Sequence, residues 1–409
     1  MRRYLDLLRR EPDFRRLYLS QLVTLGGDWF AIIPLLILLP DLTGTGLYGA
    51  LVLAADTLVF ALVAPYAGTI VDRLDRRRVL IVSNAVAGLS ALLLLLVRSE
   101  ATAWIALVGI GLVAGAKAFA QPAGAAALPN LVSSEDLPTA SVLNGASWGT
   151  MLAVGAALGG LVAGTLGFAA CFVIDAVLLL AGAALVARTK TPFSDPAAPR
   201  RERRPVREDV AEALGYARRE RRVLALLTCK CGPAFGNGAL SLFPLFGAAV
   251  FGLGPLGLGL MFSARGVGAL LGPLVMQRRA KDPANLYAVL AGSMAVFGIG
   301  YVALAIAPWF PLVLLCLVVA HAGGGANWIL STYGLQATVP DALRGRVFSA
   351  DYTLATLVIA GSQVAFGLLS EVVPARDLLA AGGVIVLLYA GGWWLSTRAL
   401  RVPSLATPS

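Results

Sequence analysis

Asp28, Asp56, Lys117, Asp175, Lys230, Arg265 and His321 each interrupt a long apolar stretch of the chain. In such surroundings an ionisable side chain can pair with an opposite charge, hold a charged ligand, or take up and release a proton. Asp28 and Asp56 are the candidate proton-coupling residues, because both fall near the middle of their stretches, where burial ties a carboxyl's charge to its surroundings. The alternative for each is a static ion pair with Lys117 or Arg265. Lys117, in "GAKAFAQPAG", either holds an anionic ligand or pairs with an acid. Lys230 is expected to reach back to the aqueous edge, as is Asp351, about one turn into its stretch. Asp175 is expected to be structural. His321, ahead of "AGGG", is expected to be a packed, hydrogen-bonding residue, although its type titrates near neutrality.

No other constellation offers chemistry. The chain has 1 histidine and lacks HExxH, G-x-S-x-G and GxxxxGK[ST] patterns, so hydrolytic, metalloenzyme and nucleotide-driven readings fall away. The expectation is a non-enzyme with no cofactor and no metal. The 4 cysteines, Cys171, Cys229, Cys231 and Cys316, lie in apolar stretches and read as free thiols.

The elements that position these residues are spans of a bilayer. Of 409 residues, 58% are hydrophobic and 14% charged, against about 25% charged in soluble proteins. Twelve apolar runs reach the length of about 20 residues that a crossing requires; they begin at 17–39 and 46–70 and end at 347–371 and 378–397. The runs are continuous, not alternating, which selects helices over a barrel. The fold class is an all-α membrane protein with twelve transmembrane helices. With that count, 28 of the 33 basic residues fall on one face, and only Arg98 and Arg376 on the other. The asymmetry predicts both termini in the cytoplasm, and the bias toward Arg over Lys and toward Ala and Gly associates the chain with a bacterial cytoplasmic (inner) membrane. The asymmetry also directs the net charge of +10 toward anionic lipid head groups and away from nucleic acid.

The longest polar break divides the chain into an N-terminal six-helix bundle (1–188), a cytoplasmic linker (189–222) and a C-terminal six-helix bundle (223–409). Val210, Leu214 and Ala217 recur at helical spacing in the linker and predict a short amphipathic helix. Aligning Arg9-Arg10-Glu11 with Arg218-Arg219-Glu220 also pairs Gly27-Asp28 with Gly236-Asn237, and the same offset sets Arg265 against Asp56. Two pseudo-symmetric bundles follow, with a binding site expected between them near the midplane.

Between the second and third runs stands "GTIVDRLDRRRVLI". Its arginines suit a cytoplasmic loop, but that role does not require Gly68 or Asp72 at the membrane edge. Here the sequence resembles the major facilitator superfamily, whose corresponding loop reads roughly G-x-x-x-D-R-x-G-R-R/K. The chain supplies Gly68, Asp72, Arg73, Arg76 and Arg77, with Asp75 at the second glycine. The resemblance implies the major facilitator fold, and a conformational latch in which Asp72 engages the start of span 11 near Arg344 and Arg346. "FRRLYLSQLVTLGGDWF", "LPNLVSSEDLPTASVLN", "ARGVGALLGPL" and "RGRVFSADYTLATL" are similar to the drug- and siderophore-exporter branch, which includes enterobactin exporters and macrolide efflux proteins. "GAALGG", Gly155 to Gly160, resembles the antiporter pattern G-P-x-x-G-G with Ala156 at the proline.

In that family spans 1, 2, 4, 5, 7, 8, 10 and 11 line the cavity. The resemblance therefore makes Lys117, Asn144, Trp148, Asn237, Arg265, His321 and Trp328 candidate substrate-cavity residues. It implies a monomeric secondary transporter whose partners are a hydrophobic or amphipathic small molecule, protons as coupling ion, and membrane lipid. The alternatives are a lysophospholipid flippase of the same fold and a non-transporting membrane receptor or scaffold.

Overall fold

A computed structural model describes residues 2–71, 73–193, 212, 215–280 and 283–401. Among the described residues twelve helices are long and apolar enough to cross a membrane. They are α1 (Pro12–Thr43), α2 (Leu47–Gly68), α3 (Arg76–Leu96), α4 (Glu100–Asn130), α5 (Leu137–Thr165), α6 (Phe168–Ala187), α7 (Arg221–Phe251), α8 (Pro255–Met276), α9 (Asn285–Ile306), α10 (Phe310–Thr338), α11 (Leu343–Leu369) and α12 (Ala375–Ser396). No strand occurs among the described residues. A short helix, Arg2–Arg10, precedes α1. Of the expected linker helix, Val210 and Leu214 lie outside the described residues. Residues 215–219 are helical, and Ala217 is buried in a core with Val223 and Leu226.

Helices form because each apolar run must satisfy its own backbone in a medium without water. Their ends carry polar stops. α1 closes on Gly44, at φ +70°, whose N–H reaches Pro40 O at 2.9 Å. Asp75 starts α3 as its N-cap, accepting from the Arg78 N–H at 2.8 Å. The acid at the motif's second glycine thus builds the turn by capping a helix. Large apolar side chains such as Leu62 and Leu388 remain exposed, the arrangement expected where the solvent is lipid.

The chain divides into two compact units. Unit 1 comprises Met1–Arg203 with Gly247–Ser263, and unit 2 comprises Arg204–Phe246 with Ala264–Ser409. The hairpin Gly247–Ser263, assigned from sequence to the second half, thus groups with unit 1. The physical reason is backbone contact. A Cβ on Gly160 would stand 2.6 Å from Pro255 O and 2.9 Å from Gly259 Cα, so the chains touch where side chains are absent. Trp29 and Phe262 add a ring contact at 5.3 Å.

Each unit repeats one packing plan. In unit 1, α1 lies on α5 and α6, α3 on α4 and α6, and α2 on α4. In unit 2, α7 lies on α11 and α12, and α9 on α10 and α12. "GAALGG" belongs to this plan: Cβ atoms on Gly155 and Gly159 would stand 2.9 Å from Gly26 O and 2.7 Å from Trp29 O, so α5 seats directly on the α1 backbone.

Candidate functional site

Unit 1 brings three of the intramembrane charges together. Asp28 stands halfway along α1, and its carboxylate pairs with the Lys117 ammonium of α4. Each side chain is about one-fifth exposed. Asp175, on α6, acts electrostatically with Lys117 and is wholly buried. Neither of its carboxylate oxygens has a hydrogen-bond partner. Gly27 makes room for it, since a Cβ there would stand 2.7 Å from Asp175 Oδ1. Of the two outcomes open for Asp28, the structure contains the ion pair with Lys117. Asp56, half-buried on α2, pairs with no charged group among the described residues.

Unit 2 holds a second cluster at a break in a helix. α7 is assembled from helical segments Arg221–Thr228, Cys231–Asn237 and Phe243–Phe251, with a 3-10 turn at Gly238–Leu242. The first break falls at Cys229-Lys230, four and three residues before Pro233. α12 donates to carbonyls just before it: Tyr389 Oη to Thr228 O at 2.7 Å, and Trp393 Nε1 to Ala225 O at 3.0 Å, where the Cys229 N–H also donates. Lys230 turns inward at the break, with its side chain 2% exposed, and pairs with Asp351 of α11. Its ammonium also donates to Thr332 Oγ1 at 3.0 Å and lies 4.9 Å from the centre of the Trp328 ring.

This corrects the expectation that Lys230 and Asp351 reach for the aqueous edge. Each is the other's partner, and a paired charge has no need of the interface. The cue lay in "CKCGP": a lysine at a point where a proline disrupts a helix.

The remaining candidates are placed as follows. His321 is buried and shares a hydrogen bond with Tyr301 Oη at 3.1 Å, with the Phe297 ring edge-on at 5.3 Å, so it is packed and hydrogen-bonded. Arg265 lies within electrostatic reach of both Tyr301 and His321. Asn237 turns its amide back to Pro233 O at 2.8 Å. Asn144 is half-buried, Trp148 is 48% exposed, and Trp328 meets Tyr352 edge-on at 6.3 Å.

Of the latch candidates, Asp72 lies outside the described residues. Gly68 is half-buried and Arg73 exposed. Arg76 donates to Ala126 O at 2.8 Å and Phe193 O at 3.2 Å, while Arg77 donates to Ala187 O at 2.5 Å and Val186 O at 3.4 Å. Arg77 thus caps the C-terminus of α6, where a cation meets the negative end of the helix dipole. Arg346 pairs with Glu212 at 2.5 Å, and Arg344 is half-buried. All four cysteines are free thiols, and no group of metal-ligating side chains occurs among the described residues.

Comparison with known proteins agrees with this architecture. A bacterial homologue of the human lysosomal transporter Spinster, in an inward-facing and unoccupied conformation, is 15% identical with a TM-score of 0.73, covering 95% of this chain and 98% of that one. A POT family transporter in complex with a thioalcohol-conjugated peptide is 10% identical with a TM-score of 0.77, covering 95% and 96%. A comparison with curated proteins found no match. A sequence model described as Major Facilitator Superfamily matches residues 17–362. The chain belongs to the Major Facilitator Superfamily of membrane transporters.

Proposed function

We propose that the protein is a proton-coupled exporter of a hydrophobic or amphipathic small molecule, working by alternating access in a bacterial cytoplasmic membrane with both termini inside. The observation that carries this reading is the Asp28–Lys117 pair, a partly accessible ion pair between two membrane helices. A pair of that kind persists only while both members are charged. A proton on Asp28, or a substrate charge in place of Lys117, opens it. Proton and substrate then compete for one carboxylate, and competition converts a proton gradient into substrate movement. One pH unit supplies about 1.4 kcal/mol per proton, enough for about tenfold accumulation in one-for-one exchange. Asp56, a membrane carboxyl without a charged partner among the described residues, is a second carrier in this scheme. The likeness of several segments to drug and siderophore exporters supports the direction and the substrate class.

The test is export of an amphipathic dye from proteoliposomes under an imposed pH gradient. Wild type is expected to export and Asp28→Asn to lose pH-driven export by at least about tenfold, since the neutral amide can neither hold Lys117 by charge nor carry a proton. Unchanged export by both Asp28→Asn and Asp56→Asn removes them as carriers. Movement of a fluorescent lysophospholipid without dye export would select the flippase reading.

A further inference from the structure

In unit 2, α11 and α12 both pack on α7 but make little contact with one another. They meet at Phe366, whose ring stands 5.5 Å from that of Phe235, and where a Cβ on Gly382 would come within 3.0 Å of Phe366 Cζ. From that contact toward Asp351 and Trp393, the two helices flank a crevice of about 230 Å³. Its floor is α7 just past the break, at Cys231, Gly232 and Phe235. Its walls are Val358 of α11 and Ile385 and Tyr389 of α12. The floor admits no side chain at residue 232, because a Cβ there would stand 2.8 Å from Tyr389 Cδ1.

The lining selects the chemistry of an occupant. Of these residues only Cys231 and Tyr389 carry a polar side-chain atom, and the Tyr389 hydroxyl is spent on Thr228 O at 2.7 Å. A ligand rich in hydrogen-bonding groups would lose its water and find little in exchange. The volume is smaller than the roughly 300 Å³ at which drug-sized pockets begin, and larger than the roughly 150 Å³ that accepts benzene. That is room for a stretch of hydrocarbon chain.

The position selects its source. Beside the crevice, the exposed residues include Leu354, Leu357 and Gly361 of α11 and Ile385, Leu388 and Gly391 of α12. Both stripes are wholly apolar, so the crevice opens between two surfaces suited to lipid and unsuited to water. Ile385 lies about 15 Å from either end of α12. In a hydrocarbon core about 30 Å thick that is the midplane, where a lipid presents its acyl tail and not its head group.

We propose that this crevice binds one acyl chain of a membrane phospholipid, which completes the packing around the α7 break. The chain lies along Cys231–Phe235, with Val358 on one side and Ile385 and Tyr389 on the other. It gains dispersion contacts on three sides, where a chain on a plain helix face gains them on one. Recognition is by the unbranched tail, and head-group identity plays no part. The site is separate from the Asp28–Lys117 pair and independent of the coupling role proposed for it.

The experiment uses the full chain in vesicles of phosphatidylethanolamine and phosphatidylglycerol, doped with a phosphatidylcholine that carries a diazirine midway along one acyl chain. Photolysis is expected to label Cys231–Phe235 and Ile385–Tyr389 at least about tenfold more than Val86 and Val177, exposed apolar residues at mid-length in α3 and α6. A diazirine in the head group is expected to give no such enrichment. Val358→Trp fills the crevice, and should bring labelling there down to the level at Val86 and Val177 while those two sites stay unchanged. In detergent, added phospholipid is expected to raise the melting midpoint of the wild type more than that of Val358→Trp. Should Val358→Trp fail to fold, Ile385→Trp at the exposed rim carries the same expectations. Crevice labelling no higher than at the two reference sites overturns the proposal, whether ordinary bilayer or a second copy of the chain covers that face. Equal enrichment from the head-group probe, labelling unchanged in the filled variant, or an equal response of both proteins to phospholipid overturns it too.

Discussion

Lys230 and Asp351 lie 121 residues apart in sequence and form a pair whose side chains are 2% and 6% exposed. Burial of that degree makes the two residues unequal to their single deletions. Removing one partner strands the other charge, at a cost of about 3–5 kcal/mol, whereas replacing both with apolar residues is close to neutral. Thermal unfolding in detergent should accordingly show Asp351→Ala strongly destabilised and Lys230→Met/Asp351→Leu restored to near the wild-type midpoint. A double variant as unstable as the single one would mean that the cluster contributes more than charge compensation. The same scale explains what was hidden. That an acid and a base occur in membrane spans is plain from composition, but which acid meets which base is set by helix rotation and side-chain reach. Lys230 turned inward because α7 breaks beside it, and Asp175 joined Asp28 because residue 27 has no side chain.

At the scale of the element, α7 has the least regular construction of the membrane helices. Its break is tolerable because Tyr389 and Trp393 of α12 donate to the carbonyls at Thr228 and Ala225. Tyr389→Phe leaves the Thr228 carbonyl unsatisfied and is expected to lose about 1–3 kcal/mol, whereas Trp393→Phe removes one of several donors to Ala225 O and is expected to cost less. Faster hydrogen exchange should be confined to Arg221–Asn237; exchange spread evenly over α12 instead would place the role of these side chains in packing. The α2–α3 loop gives a second case. Asp75→Ala removes the N-cap of α3 and should cost about 0.5–2 kcal/mol, visible as a lower melting midpoint. The motif's arginines are visible in the sequence as a positive loop, and their partners are not, because backbone carbonyls of α4 and α6 leave no mark in a sequence.

For the whole molecule the strongest expectation is topological. The positive residues predict that the α2–α3 loop faces the cytoplasm and the α3–α4 loop the outside. The native thiols are a quiet background, with Cys171, Cys229 and Cys316 buried and Cys231 half-buried. Leu74 and Ser99, both exposed, are suitable reporters. In intact cells a membrane-impermeant maleimide should label Ser99→Cys and leave Leu74→Cys untouched until the membrane is opened. The reverse pattern would invert the topology and the direction assigned to transport.

Composition and run length alone determined that the chain crosses a bilayer twelve times, because a span's hydrophobicity is a local property summed over about 20 residues. A loop motif and a faint repeat were enough to expect the family and its two-bundle plan, since both lie within contiguous sequence. Tertiary structure decided the partnerships: Asp28 with Lys117 and Asp175, Lys230 with Asp351, and Gly247–Ser263 with unit 1. Such choices depend on which faces of distant helices meet, and helices that are apolar all round carry no periodic stripe in their sequence to say which face that is.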